Sequence, residues 1–188
     1  RLCDERNLLM ILDEVQTGLG RTGEWFGFQH ADVAPDVVTM AKALGNGVPI
    51  SACWAKAEVA AAFQPGDHAT TFGGNPLCTA AARATLEVME DEDVPGKARH
   101  AGALLRGALE ELRGVSSVRG AGLLLAVELD GLDAPKVAGD LLSAGVIVNA
   151  VTPTALRLAP SLLISDDEVA EATRRIGVTL AANRAEVD

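Results

Sequence analysis

Five consecutive apolar residues, Leu8-Leu9-Met10-Ile11-Leu12, run straight into two acids, Asp13 and Glu14. The run is too short for a buried helix and does not alternate. It therefore predicts a strand over 8–12 that is buried on both faces, as in a parallel sheet. A second apolar run, Val37-Val38-Thr39-Met40, leads past Ala41 to Lys42. Sites in open α/β sheets form beyond the carboxyl ends of the strands. An acid at one strand tip and a lysine at the next mark such an edge as the candidate site.

The rest of the chain reads as alternating helices and strands. Residues 17–29 form a glycine-rich loop anchored by Trp25, Phe26 and Phe28, and a third strand spans 50–55. Asn75-Pro76 starts a helix, with asparagine as N-cap and proline at the first helical position. That helix runs to about Met89, the acids Glu90 to Asp93 break it, and another helix covers 97–112. Strands are predicted at 115–119, 123–129, 146–150 and 155–158, with helices at 135–143 and 166–183. The last helix opens on the capping box Ser165-Asp166-Asp167-Glu168. The texture changes near 95–115, which predicts two domains, 1–100 and 101–188.

Composition narrows the function classes. The net charge of −10 argues against a nucleic-acid surface. Cys3, Cys53 and Cys78 are odd in number and form no C-x-x-C pair, so they predict reduced, buried thiols in a cytoplasmic protein. No apolar run approaches the length of a membrane span, and no signal peptide is visible. The chain opens on Arg1 and not on methionine, which reads as a piece of something longer.

Several patterns carry chemistry, each beside a plainer explanation. Gly18-Leu19-Gly20-Arg21-Thr22-Gly23 matches G-x-G-x-x-G. A dinucleotide site needs that turn to join strand directly to helix, with an acid ending the next strand. Here five residues intervene and the next strand ends in a lysine, so the match is set aside. Asp13-Glu14 alone is an ordinary solvated strand end, and Lys42 alone an ordinary surface lysine. Together they fit pyridoxal phosphate, whose aldehyde needs an amine and whose ring nitrogen needs a carboxylate. Burial of the lysine would lower its pKa and expose a neutral amine. Thr70-Thr71-Phe72-Gly73-Gly74-Asn75 offers hydroxyls and N–H groups ahead of a helix, which suits a phosphate or, equally, a capped turn. Arg157, alternating with Leu156 and Leu158, pairs with a structural acid or offers its fork to a substrate carboxylate. His30, His68 and His100 show no metal spacing.

Leu12-Asp13-Glu14-Val15-Gln16-Thr17-Gly18-Leu19-Gly20-Arg21-Thr22-Gly23 resembles the cofactor segment of class III (ω-amino) aminotransferases. Thr39 to Ile50 resembles their Schiff-base lysine segment, Thr70 to Leu77 their phosphate loop, and Leu156 to Leu162 the segment of their late substrate arginine. The four motifs stand in the family's order and span essentially the whole chain. The branch most resembled acts on N-acetylornithine in arginine biosynthesis. Others in the class act on ornithine, succinylornithine or 4-aminobutyrate. Glutamate-1-semialdehyde aminomutase fits less well, because it needs no keto-acid partner for Arg157.

The resemblance implies an α/β chain that is the C-terminal part of a fold-type I PLP-dependent transferase. It would hold a remnant of the large-domain mixed sheet plus the small C-terminal α/β domain. It implies pyridoxal 5'-phosphate as cofactor, an amino donor and 2-oxoglutarate as substrates, and a homodimer with its active site at the subunit interface. Lys42 would be the catalytic, cofactor-bearing residue. Asp13, Glu14, Val15 and Gln16 would form the cofactor segment, with Asp13 on the pyridinium nitrogen and Gln16 on the phenolic oxygen. Thr71 would bind phosphate across the interface, Thr70 would lie beside substrate, and Arg157 would take the carboxylate of glutamate or 2-oxoglutarate. No metal is implied. Members of the family are roughly twice this length, so a non-catalytic fragment of the fold is the competing expectation.

Overall fold

The structure, a computed structural model, describes residues 1–186. The chain divides into two compact units: Arg1–Gly20 with Glu24–Val94, and Arg21–Gly23 with Pro95 onward.

The first unit is built on a three-stranded mixed sheet. A short helix α1 (Leu2–Arg6) ends on Asn7, whose left-handed backbone turns the chain. Strand β1 (Ile11–Asp13) pairs parallel with β2 (Val37–Met40), and β2 pairs antiparallel with β3 (Ala52–Ala55). A brief helix α2 (Ala57–Ala60) follows, then α3 (Pro76–Asp91). Helix α3 starts as the sequence predicts: the Asn75 side chain accepts from the Cys78 N–H at 3.0 Å, and Pro76 opens the helix.

The buried strand predicted over 8–12 does not form. Strand β1 is three residues long, Leu8 and Leu9 lie outside it, and Ile11 is 63% exposed. Strand β1 is an edge, paired on one side only; Ile11 is exposed and Leu12 only half-buried. The apolar run advertises burial on two faces that this sheet alone does not provide. The thiol expectation also needs correcting. Cys78 is buried in α3, but Cys3 is half-buried and Cys53 is exposed on the other edge strand, β3.

The second unit is a four-stranded antiparallel sheet covered by helices. Its elements are α4 (Val94–Glu110), β4 (Val115–Ala121), β5 (Leu124–Leu129), α5 (Ala134–Ser143), β6 (Asn149–Thr152), β7 (Ala155–Leu158) and α6 (Asp166–Ala185). The strand order is β4-β5-β7-β6. Leu125, Val127 and Leu129 alternate inward on β5, as do Leu156 and Leu158 on β7. They pack with Leu105 and Leu109 of α4, Val137 and Leu141 of α5, and Ile176 and Leu180 of α6. Each such leucine contributes about 1.5–3 kcal/mol by leaving water. The opposite face of the sheet carries Arg157 and Glu128.

Strand β6 starts three residues later than the pattern predicts. Val146 and Val148 are part-buried against the core, but Val146 donates its N–H to Leu141 in the turn that ends α5. Their apolar spacing marks burial, not ladder pairing. Helix α6 opens on the predicted capping box: the Glu168 N–H donates to Ser165 Oγ at 3.2 Å, and the Ser165 N–H donates to the Glu168 carboxylate at 2.8 Å.

Candidate active site

The parallel pair β1–β2 sets the geometry of the site. Its register places Asp13 opposite Thr39 at the carboxyl edge, and the Thr39 hydroxyl donates to Asp13 Oδ1 at 3.4 Å. The same oxygen accepts from the Val15 N–H at 2.9 Å, which curls the chain away from the strand. Asp13 is exposed, and among the described residues its Oδ2 accepts no hydrogen bond. Gln16 is exposed on the same turn, and among the described residues its amide makes no hydrogen bond.

Lys42 lies three residues beyond Thr39, at the same edge. It opens a 3-10 turn, Lys42–Leu44, in the left-handed region at φ 46°. That conformation is uncommon for a side chain other than glycine and needs its surroundings to hold it. Here the Lys42 carbonyl accepts from the N–H groups of Gly45 and Asn46, both at 3.2 Å. Gly45 is packed so closely that a Cβ there would stand 2.2 Å from the Val48 carbonyl oxygen. Lys42 is exposed, so the burial expected of it is absent within this chain.

What distinguishes Lys42 is its freedom. Lys56 pairs with Asp36 at 2.8 Å, and Lys136 with Asp140 and Glu186; Lys97 also has an interaction partner. Among the described residues the Lys42 amine makes no ion pair or hydrogen bond, and the other three lysines are engaged. The Asp36–Lys56 hydrogen bond holds that carboxyl below its ordinary value and the amine above its own. Strand β2 separates this pair from Lys42, since Asp36 precedes the strand and Lys42 follows it.

Glu14 behaves differently from its neighbour. Successive strand side chains point to opposite faces, and Glu14 turns inward until it is 4% exposed. Its Oε2 accepts from the Gly27 N–H at 3.0 Å and from the Thr17 hydroxyl, and its Oε1 accepts from the Phe28 N–H at 2.8 Å. Its carbonyl accepts from Gly18 at 3.0 Å. The carboxylate thus closes the 17–28 loop, where Phe26 and Phe28 stack with centroids 5.4 Å apart. Reading Asp13 and Glu14 as one acidic tip missed this division. The alternation of a strand was the signal that could have revealed it. The glycine-rich segment forms turns, not a helix, so the strand–turn–helix of a dinucleotide site does not form.

Thr70 and Thr71 precede α3, whose body packs against the Lys42–Leu44 turn. The Thr70 hydroxyl accepts from the Gly73 N–H at 3.2 Å, while Thr71 is exposed and its hydroxyl has no hydrogen bond among the described residues. The first unit therefore gathers Asp13, Val15, Gln16 and Lys42 at one sheet edge and sets the threonine loop at the head of the adjoining helix. A carboxylate with one open oxygen, a free amine and an open threonine hydroxyl suit the ring nitrogen, aldehyde and phosphate of pyridoxal phosphate, so the residues fit that group.

Arg157 belongs to the second unit. Strand register puts it between Ala126 and Asn149, and its Nη2 donates to Asn149 Oδ1 at 3.3 Å. The nearby carboxylate on that sheet face, Glu128, is already held by Arg119 at 2.6 Å. Arg157 makes no ion pair among the described residues, so the structural acid offered as its plainer explanation is not there.

Comparison with known proteins identifies the family of the chain. Residues 1–180 match the family model of the class III aminotransferases. The acetylornithine aminotransferase of Corynebacterium efficiens is 50% identical over 180 residues, covering 96% of this chain and 44% of that protein. That of Bacillus subtilis is 42% identical over 186 residues, covering 97% and 48%. Among solved structures, the ornithine aminotransferase of Toxoplasma gondii superimposes with a TM-score of 0.91 at 38% identity, over 98% of this chain and 46% of that one. That structure is described as having partial occupancy of PLP at its active site. The chain spans about half the length of the relatives it matches.

Proposed function

We propose that this chain, which belongs to the class III aminotransferase family, carries the amine, the ring acid and the keto-acid arginine of a pyridoxal 5'-phosphate-dependent transamination. The fold is that of part of a fold-type I transferase. The reaction moves the ω-amino group of N-acetylornithine to 2-oxoglutarate, giving N-acetylglutamate semialdehyde and glutamate, a step of arginine biosynthesis. The names of the relatives support the donor, and the carrying observation is the uncommitted Lys42 amine at the sheet edge of Asp13.

Bound at that edge, the cofactor would supply an electron sink for the substrate carbon. The residues of this chain hold and move everything around it. Lys42 Nζ would hold the aldehyde end and would move a proton at the reacting carbon. The free Oδ2 of Asp13 would accept a hydrogen bond from the ring N–H and so keep the proton on the nitrogen. Val15 fixes the Asp13 carboxylate through its N–H, Glu14 shapes the loop behind it, and Gln16 would donate to the phenolic oxygen. Thr71 binds phosphate on the neighbouring subunit of a homodimer, and Thr70 borders the substrate. Arg157 grips the carboxylate of 2-oxoglutarate or glutamate with two parallel N–H donors. In this reading residues 1–100 are part of the cofactor-binding large domain and 101–188 the small domain. The compartment is the cytoplasm: free cysteines favour it, and no helix among the described residues is long and apolar enough to cross a membrane.

The test uses the protein expressed from its complete gene. The wild type should take on the visible absorption of lysine-bound pyridoxal phosphate, and Lys42→Ala should lose it together with turnover. A wild type without the band, or a variant that keeps it, refutes the assignment. Ornithine is the second donor reading, favoured by the Toxoplasma gondii likeness. Comparing kcat/KM for the two donors decides between them.

A further inference from the structure

The glycine-rich segment carries one feature that the proposed function leaves unused. Arg21–Gly23 belong to the second unit although the sequence on both sides belongs to the first. There they bridge two chain segments that flank the sheet. The β5–β7 register runs from Glu128 opposite Ala155 to Leu125 opposite Leu158, and Leu123 and Pro160 lie just beyond its end. Proline has no N–H, so Pro160 cannot donate to Leu123.

Arg21 takes the missing place. Its Nη1 donates to the Pro160 carbonyl at 2.7 Å and to the Leu123 carbonyl at 3.1 Å, while its own carbonyl accepts from the Leu123 N–H at 3.0 Å. The fit is tight. A Cβ on Gly122 would stand 2.4 Å from the Thr22 carbonyl carbon, and Gly122 itself has φ 50°. Arg99 donates to the Gly23 carbonyl at 2.7 Å, so the inserted segment is held at both ends. Both bonds leave one nitrogen, Nη1, so a single cationic donor ties the residue just before β5 to the chain just after β7. The clamped Pro160 lies three residues beyond Arg157, just past the end of the four-residue β7.

We propose that Arg21 is a positioning residue for the keto-acid carboxylate: by tying Leu123, just before β5, to Pro160, just after β7, it fixes the strand that aims Arg157. The proposal rests on the carboxylate role given to Arg157 above. Arg21 itself touches no substrate.

The test compares Arg21→Lys, Arg21→Ala and Arg157→Ala in the protein from the complete gene. Displacing a binding group by about 1 Å can cost up to about 100-fold. Arg21→Lys should raise the KM for 2-oxoglutarate about ten-fold, with kcat and the KM for the amino donor within about two-fold. The cofactor absorption should be unchanged. Amide exchange at Leu123 and Ala159 should quicken, with α5 unaffected. If Arg21→Ala does not fold, Arg21→Lys and the exchange pattern decide the matter. An unchanged keto-acid KM in the Arg21 variants, beside a raised one in Arg157→Ala, sinks the clamp alone. A parallel rise for the amino donor overturns it as well, by revealing general loosening. An unaltered keto-acid KM in Arg157→Ala removes the assignment on which the proposal stands, and the proposal with it.

Discussion

Removing the Glu14 carboxylate should loosen the cofactor segment by a calculable amount. In Glu14→Ala the N–H groups of Gly27 and Phe28 lose their acceptor, and Thr17 loses one of its partners. A buried donor left unsatisfied costs about 1–3 kcal/mol. Gly27 and Phe28 are only half-buried, so water recovers part of that, and Thr17 has another interaction to fall back on. Two orphaned donors at the lower end give about 2–4 kcal/mol. Glu14→Gln keeps one acceptor oxygen but turns an NH2 toward a backbone N–H, so about 1–2 kcal/mol is expected. Against a typical total of about 5–15 kcal/mol, both variants should still fold. Urea titration checks this: the midpoint should fall in the order wild type, Glu14→Gln, Glu14→Ala, with the slope unchanged. If both variants lie within about 0.5 kcal/mol of wild type, the loop does not depend on this carboxylate and the reasoning is wrong.

Two further outcomes are expected. Gly45→Ala places a Cβ 2.2 Å from the Val48 carbonyl oxygen and 2.7 Å from Ile50 Cγ2, so the turn that holds Lys42 must open. A loss of about 1–3 kcal/mol in thermal unfolding should accompany weakened cofactor uptake, and normal uptake would refute it. Arg174 and Arg175 hydrogen-bond Glu171 and hold it at about 2, against an ordinary 4.5. A carboxyl lowered in this way stabilises the fold above its unfolded value, and the gain is lost as pH falls through the folded one. The melting-temperature difference between wild type and Glu171→Gln should therefore be steady above about pH 4.5 and shrink toward pH 2; a difference unchanged across that window would contradict it.

What was legible in the sequence was local. Asn75-Pro76 and Ser165-x-x-Glu168 hold their own partners within one helical turn, so their caps could be read directly. Lys42 and Asp13 could be paired because two strand tips suffice to define an edge. The rest depended on distant neighbours. Nothing in Ala155–Leu158 says that β7 lies between β5 and β6, because register is settled by pairing across the sheet. The Leu8–Leu12 run promised a buried strand, and its neighbours within this chain leave it an exposed edge. Arg21 stood inside a motif dismissed for nucleotide binding. A lone cation among glycines and threonines was a sign that it serves backbone carbonyls, but their identity depended on residues more than a hundred positions away.

The discontinuous make-up of the second unit also constrains how such a chain can be divided or inherited. A cut between Val94 and Pro95 would detach a body still lacking the three residues that seal its sheet. The fragment would be left with Leu123 and Pro160 as a frayed seam. Exchange of this whole unit between relatives would have to bring a tripeptide from far upstream. During synthesis Arg21 leaves the ribosome well before Pro160, 139 positions later, and waits for its strand. Sealing the sheet is thus a late, long-range event, of the kind that slows folding relative to the helices around it.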